Sequence, residues 1–235
     1  MTAATVGPAV RRVCEKVRKD VFDAARAMKN SPLAGATGKD VIFSDGCVRL
    51  RSDPARFVAI TDAMHEGQIG RIEKQTFLIP NLLKQLRYIR RSHSAVFAEV
   101  QIDEDLGTIT VTRVVSAIAS GRILNPTTAR SQIMGGVVWG IGMALEEESV
   151  IDQKFGRFMT HSLADYHVPV NADVRDIDVI FVDEQDAVVD PLGVKGLGEL
   201  GIVGVAPAIA NAVFHATGVR VRELPITLDK VMFRS

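Results

Sequence analysis

A single carboxylate among glycines, in the run Val194-Lys195-Gly196-Leu197-Gly198-Glu199-Leu200-Gly201, is the feature of this chain best suited to chemistry. Glycine lets the backbone take positive φ and lets a bulky ligand come close. Glu199 lies at such a turn, near a lysine, where an apolar run from Ile202 to Thr217 begins. That placement suits proton transfer better than packing. The plainer alternative is that Glu199 only favours the positive end of the helix that follows. A second group, Arg122, Asn125, Thr128 and Gln132, could offer guanidinium, amide and hydroxyl groups to a phosphate or nucleotide. Ordinary helix capping explains these residues when each is taken singly.

Other constellations carry less. Gly196, Gly198 and Gly201 spell G-x-G-x-x-G, and Glu223 follows at about the 20-residue offset of a dinucleotide fingerprint. That fingerprint must follow a strand directly. Here the nearest expected strand ends near Val182, and Asp183, Glu184, Asp186, Asp190 and Pro191 intervene. His161, Asp165, Tyr166 and His167 lack helical spacing between the histidines, and Pro169 follows at once. They read as an extended segment making hydrogen bonds. His215, late in an apolar helix, is explained by the helix C-terminus. Trp139, among Val137, Val138 and Ile141, reads as core.

The elements that must position these residues are interspersed helices and strands. Pro8 opens a helix whose apolar face is Val10, Cys14, Val17, Val21 and Met28. Asn30 to Gly38 is a loop. Strands at Val41–Phe43 and Val48–Leu50 flank Asp45-Gly46, a hairpin signal. Asp53-Pro54 predicts the start of a short helix from Ala55 to His65. Val96–Ile102 and Thr108–Val115 form a stronger strand pair around the turn Asp103–Gly107. Thr127 or Thr128 caps a helix over about Ala129–Glu148, in which Gly136 and Gly140 leave a groove for another backbone. Asp176–Val182 is a strand, and Ile202–Ala216 a helix stopped by Gly218. No regular βαβ repeat appears, so the fold class is α+β, with mixed sheets and packed helices.

Composition excludes several functions. The 235 residues carry 28 basic and 28 acidic side chains, a net charge of zero, which gives no support to a polyanion partner such as nucleic acid. The basic cluster Lys84, Arg87, Arg90 and Arg91 reads as a solvated face. Two cysteines, Cys14 and Cys47, are too few for a zinc site or an iron–sulfur cluster, and a reduced cytosolic protein is the default. Residues 1–10 lack the pattern of a signal peptide, and the apolar run Ile133–Leu145 is too short to span a membrane. A cytoplasmic location without membrane contact is therefore expected, or a periplasmic one if a partner carries the signal.

Four motifs together resemble a known family. The first runs from Lys195 through Glu199 to Ala206-Pro207, Asn211, His215, Gly218 and Pro225. The second is Gly121-Arg122-Ile123-Leu124-Asn125-Pro126, followed by Thr128, Arg130, Gln132, Gly135 and Gly136. The third is Leu163-Ala164-Asp165-Tyr166 leading to Pro169, and the fourth is Thr2-Ala3-Ala4-Thr5-Val6-Gly7. In this order they resemble the C-terminal portion of the molybdenum-binding subunit of the xanthine dehydrogenase / aldehyde oxidase family. One departure is Ala119-Ser120, where the family commonly has an acidic residue before the glycine.

The resemblance implies a molybdopterin cofactor carrying molybdenum, in the cytosine dinucleotide form. In this family the pterin, not a protein side chain, holds the metal, so no protein metal ligand is expected. Glu199 would be the general base of an aldehyde oxidation or N-heterocycle hydroxylation with water as the oxygen source. Lys195, Gly196, Leu197 and Gly198 would contact the cofactor beside it. Gln132 and the loop with Arg122, Asn125, Pro126 and Thr128 would hold its pterin or nucleotide end. Ala3, Ala4, Thr5 and Gly7 would form a loop whose backbone N–H groups hold the pterin and its phosphates. Electrons would leave through a 2Fe-2S subunit and an FAD subunit. The family's subunit is longer, and its N-terminal part supplies a Gly-Gln-Gly loop over the metal. Residues 1–235 thus read as the C-terminal part of a molybdopterin-binding domain, with two lobes at about 1–92 and 93–235, inactive without that N-terminal part. The competing reading is a non-catalytic remnant or an assembly module of the same fold.

Overall fold

A computed structural model describes residues 2–77, 87–89, 91–186, 188–189 and 191–232. The chain divides into two compact units, Thr2–Asn81 and Leu82–Ser235, about ten residues from the expected boundary. Lys84 and Arg90 of the basic cluster lie outside the described residues.

The first unit begins with α1, Thr2–Ala27. Pro8 sits inside this helix rather than opening it, and Ala3, Ala4, Thr5 and Gly7 form its first turns, not a loop. The physical reason is local: alanine favours the helix, and beyond the first turn its backbone N–H groups are taken by i→i−4 bonds. The Gly7 N–H is thereby taken, while Ala3 and Ala4 stand in the first turn, where no i−4 carbonyl of the helix is available. Only the C-terminal half of α1 buries a stripe, Val21, Phe22 and Ala25, while Val10 and Cys14 are exposed. Those three residues pack with Leu33, Val41, Val48 and Val58 in one core.

That core is backed by a three-stranded antiparallel sheet, β1 (Val41–Ser44), β2 (Cys47–Leu50) and β3 (Phe57–Ala59). Asp45 and Gly46 join β1 to β2, both with positive φ (50° and 69°), as the hairpin signal predicts. The expected helix from Ala55 does not start there. Asp53 accepts the Ala55 N–H in a turn, β3 pairs with β2, and the helix α2 is Ile60–Glu66. Pairing that buries Val48 against Val58 outweighs the local Asp-Pro signal.

The second unit is built on β4 (His93–Asp103), β5 (Thr108–Ala119) and β8 (Asp176–Phe181), in the order β4-β5-β8. The first pair is antiparallel and the second parallel, so the sheet is mixed. Gly107 (φ 68°) and the Asp103 carboxylate, which accepts the Asp105 and Leu106 N–H groups, close the turn between β4 and β5. The parallel step from β5 to β8 carries α3, Pro126–Leu145, and a two-stranded ribbon, β6 (Ile151–Asp152) with β7 (Arg157–Phe158). Short helices α4 (Leu200–Val203), α5 (Val205–Thr217) and α6 (Leu228–Met232) follow β8.

Val114 and Ile118 alternate inward from β5 and pack against Ile133, Val137 and Ile141 of α3 and Ile209 and Val213 of α5. Two glycines allow α3 to be approached closely, as expected. A Cβ on Gly136 would lie 2.9 Å from the Gly201 backbone, and one on Gly140 would collide with Val205. Leu200–Thr217 is an 18-residue stretch of mean hydropathy 1.5, longer than the apolar run noted in the sequence. Gly204 divides it, and Val205, Ala206, Ile209 and Val213 face the core. Gly218 (φ 74°) ends α5, donating to the Phe214 carbonyl.

Candidate active site

The glycine-flanked glutamate is strapped to the end of β5. Gly121 turns the chain there with φ 64° and pairs antiparallel with Val194. The Arg122 N–H donates to the Gly193 carbonyl (2.8 Å), and the Lys195 N–H to the Ser120 carbonyl (3.3 Å). Glycine is required at 121 because a Cβ there would run into the Gly193 carbonyl. The Gly196 carbonyl then accepts two hydroxyls, Ser92 Oγ at 2.6 Å and Ser120 Oγ at 3.0 Å.

Lys195 is the most enclosed charge in the strap, its side chain 6% exposed. Its ammonium bonds Glu184 and lies 3.0 Å from Asp186. The other Glu184 oxygen accepts the Gly121 N–H at 2.7 Å. Burial pushes the Lys195 ammonium down, but its bonds to Glu184 and Asp186 outweigh that and hold it above the ordinary lysine value. The bond from Lys195, then that from Gly121, holds Glu184 below the usual carboxylate range. Lys195 likewise lowers Asp186. The ammonium of Lys195, a residue expected to contact the cofactor, is therefore directed at two carboxylates of its own chain.

Beyond Lys195 the backbone is open on one side. A Cβ on Gly196 or on Gly198 would meet nothing within 4 Å. Leu197 between them is partly buried and packs against the core. The Gly198 carbonyl accepts Gln132 Nε2 at 2.9 Å, which ties the turn to α3. Glu199 follows, exposed, and its carboxylate makes no capping bond to α4. Glu199 thus stands at the N-terminal end of α4, as the plainer alternative has it, but without a capping hydrogen bond. Gly201 then seats α4 on α3, its Cα side facing Ile133 and Gly136.

The structure brings Gln132, Gly198 and Glu199 together and orders the rest differently. Asn125, not Thr127 or Thr128, caps α3, its Oδ1 accepting the Thr128 N–H at 3.2 Å. The Thr128 hydroxyl donates back to the Asn125 carbonyl at 3.4 Å. For these two residues the capping role is the one seen. Arg122 and Pro126 line a cleft of about 680 Å³ with Phe181, Glu184 and Gly193. Ala3, Ala4, Thr5 and Gly7 belong to the first unit.

Sequence reasoning missed Glu184, Asp186, Ser92 and Ser120. The two acids read as filler in a polar gap, and no local pattern connects them to Lys195. Trp139 is not core: it is 69% exposed and lines a separate cleft with Met143, Tyr166 and Pro169. Its apolar sequence neighbours Val137 and Ile141 lie on the opposite, sheet-facing side of α3. The His161–His167 segment makes hydrogen bonds, as expected: Tyr166 donates to Glu147 (2.7 Å) and Ser162 to Asp165 (2.9 Å). Among the described residues no group of three or more His, Cys, Asp or Glu side chains could hold a metal ion.

The molybdopterin cofactor-binding domain family matches residues 1–175 of the chain. The chain belongs to that family. It is 42% identical over 190 residues to the aldehyde oxidoreductase molybdenum-binding subunit PaoC of Escherichia coli (strain K12), covering 81% of this chain and 25% of that one. This molybdopterin-binding chain thus spans about a quarter of the length of the curated relatives it matches. Quinoline 2-oxidoreductase from Pseudomonas putida 86 superposes with a TM-score of 0.79 at 24% identity, over 97% of this chain and 29% of that one. The aldehyde oxidoreductase from Desulfovibrio gigas superposes with a TM-score of 0.54 at 31% identity, over 60% of this chain and 15% of that one. The α+β fold expected from the sequence is the fold of the matched parts of these solved structures.

The residues fit the group this family binds. A pterin brings its own metal ligands and needs from the protein a surface for close backbone approach and polar groups for orientation. Gly196 and Gly198 supply the first, since the space a side chain would fill is open. The Gln132 amide supplies the second: Nε2 is held by Gly198, and its Oε1 remains an acceptor.

Proposed function

We propose that this chain is the part of a molybdenum hydroxylase that carries the catalytic base, and that the base is Glu199. The observation that supports this most is the setting of its carboxylate. It is exposed and makes no capping bond, it follows Gly198 directly and Gly196 by three positions, both with open faces, and Gln132 fixes the backbone in front of it. When bound, molybdopterin supplies the redox change and the oxygen-transferring centre. Glu199 takes up the proton released as a water-derived oxygen reaches the carbon of an aldehyde or N-heterocycle. Gly196 and Gly198 let the cofactor approach their backbone, and Gln132 orients it. Arg122 and Pro126, on their cleft, stand at its nucleotide end, which in this reading is a cytosine dinucleotide.

The activity belongs to an assembly. In this reading the electrons leave through 2Fe-2S and FAD subunits, further molybdenum-subunit sequence completes the pocket, and the complex works in the cytoplasm. Assayed alone with a panel of aldehydes and an artificial electron acceptor, residues 1–235 show no turnover; clear turnover would refute the need for further sequence. Within the assembled protein, Gln132→Ala lowers the molybdenum-to-protein ratio, because an acceptor facing the cofactor is lost. An unchanged ratio would remove Gln132 from the cofactor site.

A further inference from the structure

We infer that Lys195 is a positioning residue for Glu199, acting through Glu184 and Asp186 and not by touching the cofactor. The inference rests on Glu199 being the base and adds how that base is held.

Charge is the first argument. One ammonium facing two carboxylates is neutralised within its own chain, so Lys195 does not stand as a free cation for a phosphate. Enclosure is the second. The Lys195 side chain is 6% exposed, while Glu184 and Asp186 are 29% and 22% exposed, so the pair shields the lysine from incoming groups. The third is what the cluster joins. Glu184 also accepts the Gly121 N–H where the chain leaves β5, and Asp186 also accepts the Val188 and Val189 N–H groups. Three separate stretches of backbone therefore meet at one ammonium.

Positioning is needed at this point. Gly196 and Gly198 have no side chains to restrain the four-residue path from Lys195 to Glu199. The path is fixed at one end by Lys195 and the Ser92 and Ser120 hydroxyls, and at the other by Gln132 and the α4–α3 contact. Without the ammonium, Glu184 and Asp186 face each other as like charges beside a partly buried backbone, and the first anchor opens.

The test uses the assembled protein and three variants, Lys195→Met, Lys195→Arg and Glu184→Gln. Molybdenum content, backbone hydrogen exchange over residues 193–200 and steady-state kinetics are read for each. Lys195→Met is expected to keep its molybdenum-to-protein ratio, lose exchange protection over 193–200, and lower kcat by roughly 10²-fold at little-changed KM, the scale of a misplaced catalytic group. Glu184→Gln shifts protection and kcat in the same direction and, like Lys195→Met, keeps its molybdenum, although Glu184 lines the Arg122 cleft. Lys195→Arg restores part of the protection and of the rate. Loss of molybdenum in Lys195→Met but not in Glu184→Gln would overturn the inference in favour of direct cofactor contact. Unchanged protection and rate in both variants would overturn it also. If Lys195→Met fails to fold, Glu184→Gln and Lys195→Arg decide the matter by the same readouts. Normal turnover in Glu199→Gln would sink the base assignment while leaving the exchange result standing.

Discussion

Glu199→Gln should lower kcat by about 10²–10⁴-fold in the assembled enzyme while leaving its molybdenum content unchanged. The size follows from what is removed. Glutamine keeps the shape and polarity of the side chain but cannot take up a proton at neutral pH. The structure explains why little else should change. The carboxylate makes no capping bond and is exposed, so the fold loses no partner when it is replaced. Gln132 bonds the Gly198 carbonyl, a backbone group the substitution does not touch. Stability should therefore shift by no more than about 0.5 kcal/mol, as for other surface positions without special contacts. Steady-state rates, metal analysis and a thermal melt on one preparation separate the two effects.

Gly201→Val should damage both fold and rate. A Cβ at this position lies 2.7 Å from the Ile133 carbonyl oxygen, 3.0 Å from its Cα and 3.3 Å from the Gly136 Cα. All three are backbone atoms of α3 and cannot swing aside as a flexible side chain would. The valine must push α4 off α3, which costs about 1–3 kcal/mol of overpacking. Glu199 stands immediately before α4 and moves with it. A displacement near 1 Å is enough to cost about 10²-fold in rate. The variant should thus show a lower denaturant midpoint and a lower kcat together. A variant with wild-type stability and rate would mean that the α4–α3 contact is not what sets the base.

The local parts of this site were legible in the sequence, and the long-range ties were not. Asp45-Gly46 announces its hairpin because the turn chemistry is confined to two residues. Gly136 announces a close approach because only a missing side chain permits one, although it does not say that Gly201 is the partner. Glu199 and Gln132 lie 67 positions apart and were tied to one cofactor by resemblance, while their adjacency is a property of the fold. The ion pairs of Lys195 were hidden for the same reason. Its partners Glu184 and Asp186 look like solvated acids in the chain, and only the pairing of Gly121 with Val194 turns them onto the ammonium. The Thr2–Gly7 stretch shows the converse. Its residue types match a cofactor loop, but the stretch is the start of a helix, which its alanines favour.

In the assembled enzyme Glu199 is expected to face the bound cofactor's reactive centre. A crystal structure of the assembled, molybdenum-loaded protein tests it most directly. The expected result is the Glu199 carboxylate within hydrogen-bond distance of the metal's open coordination position, with Gly196 and Gly198 against the cofactor. A carboxylate directed into solvent, with the pterin bound along some other face of the fold, would contradict it.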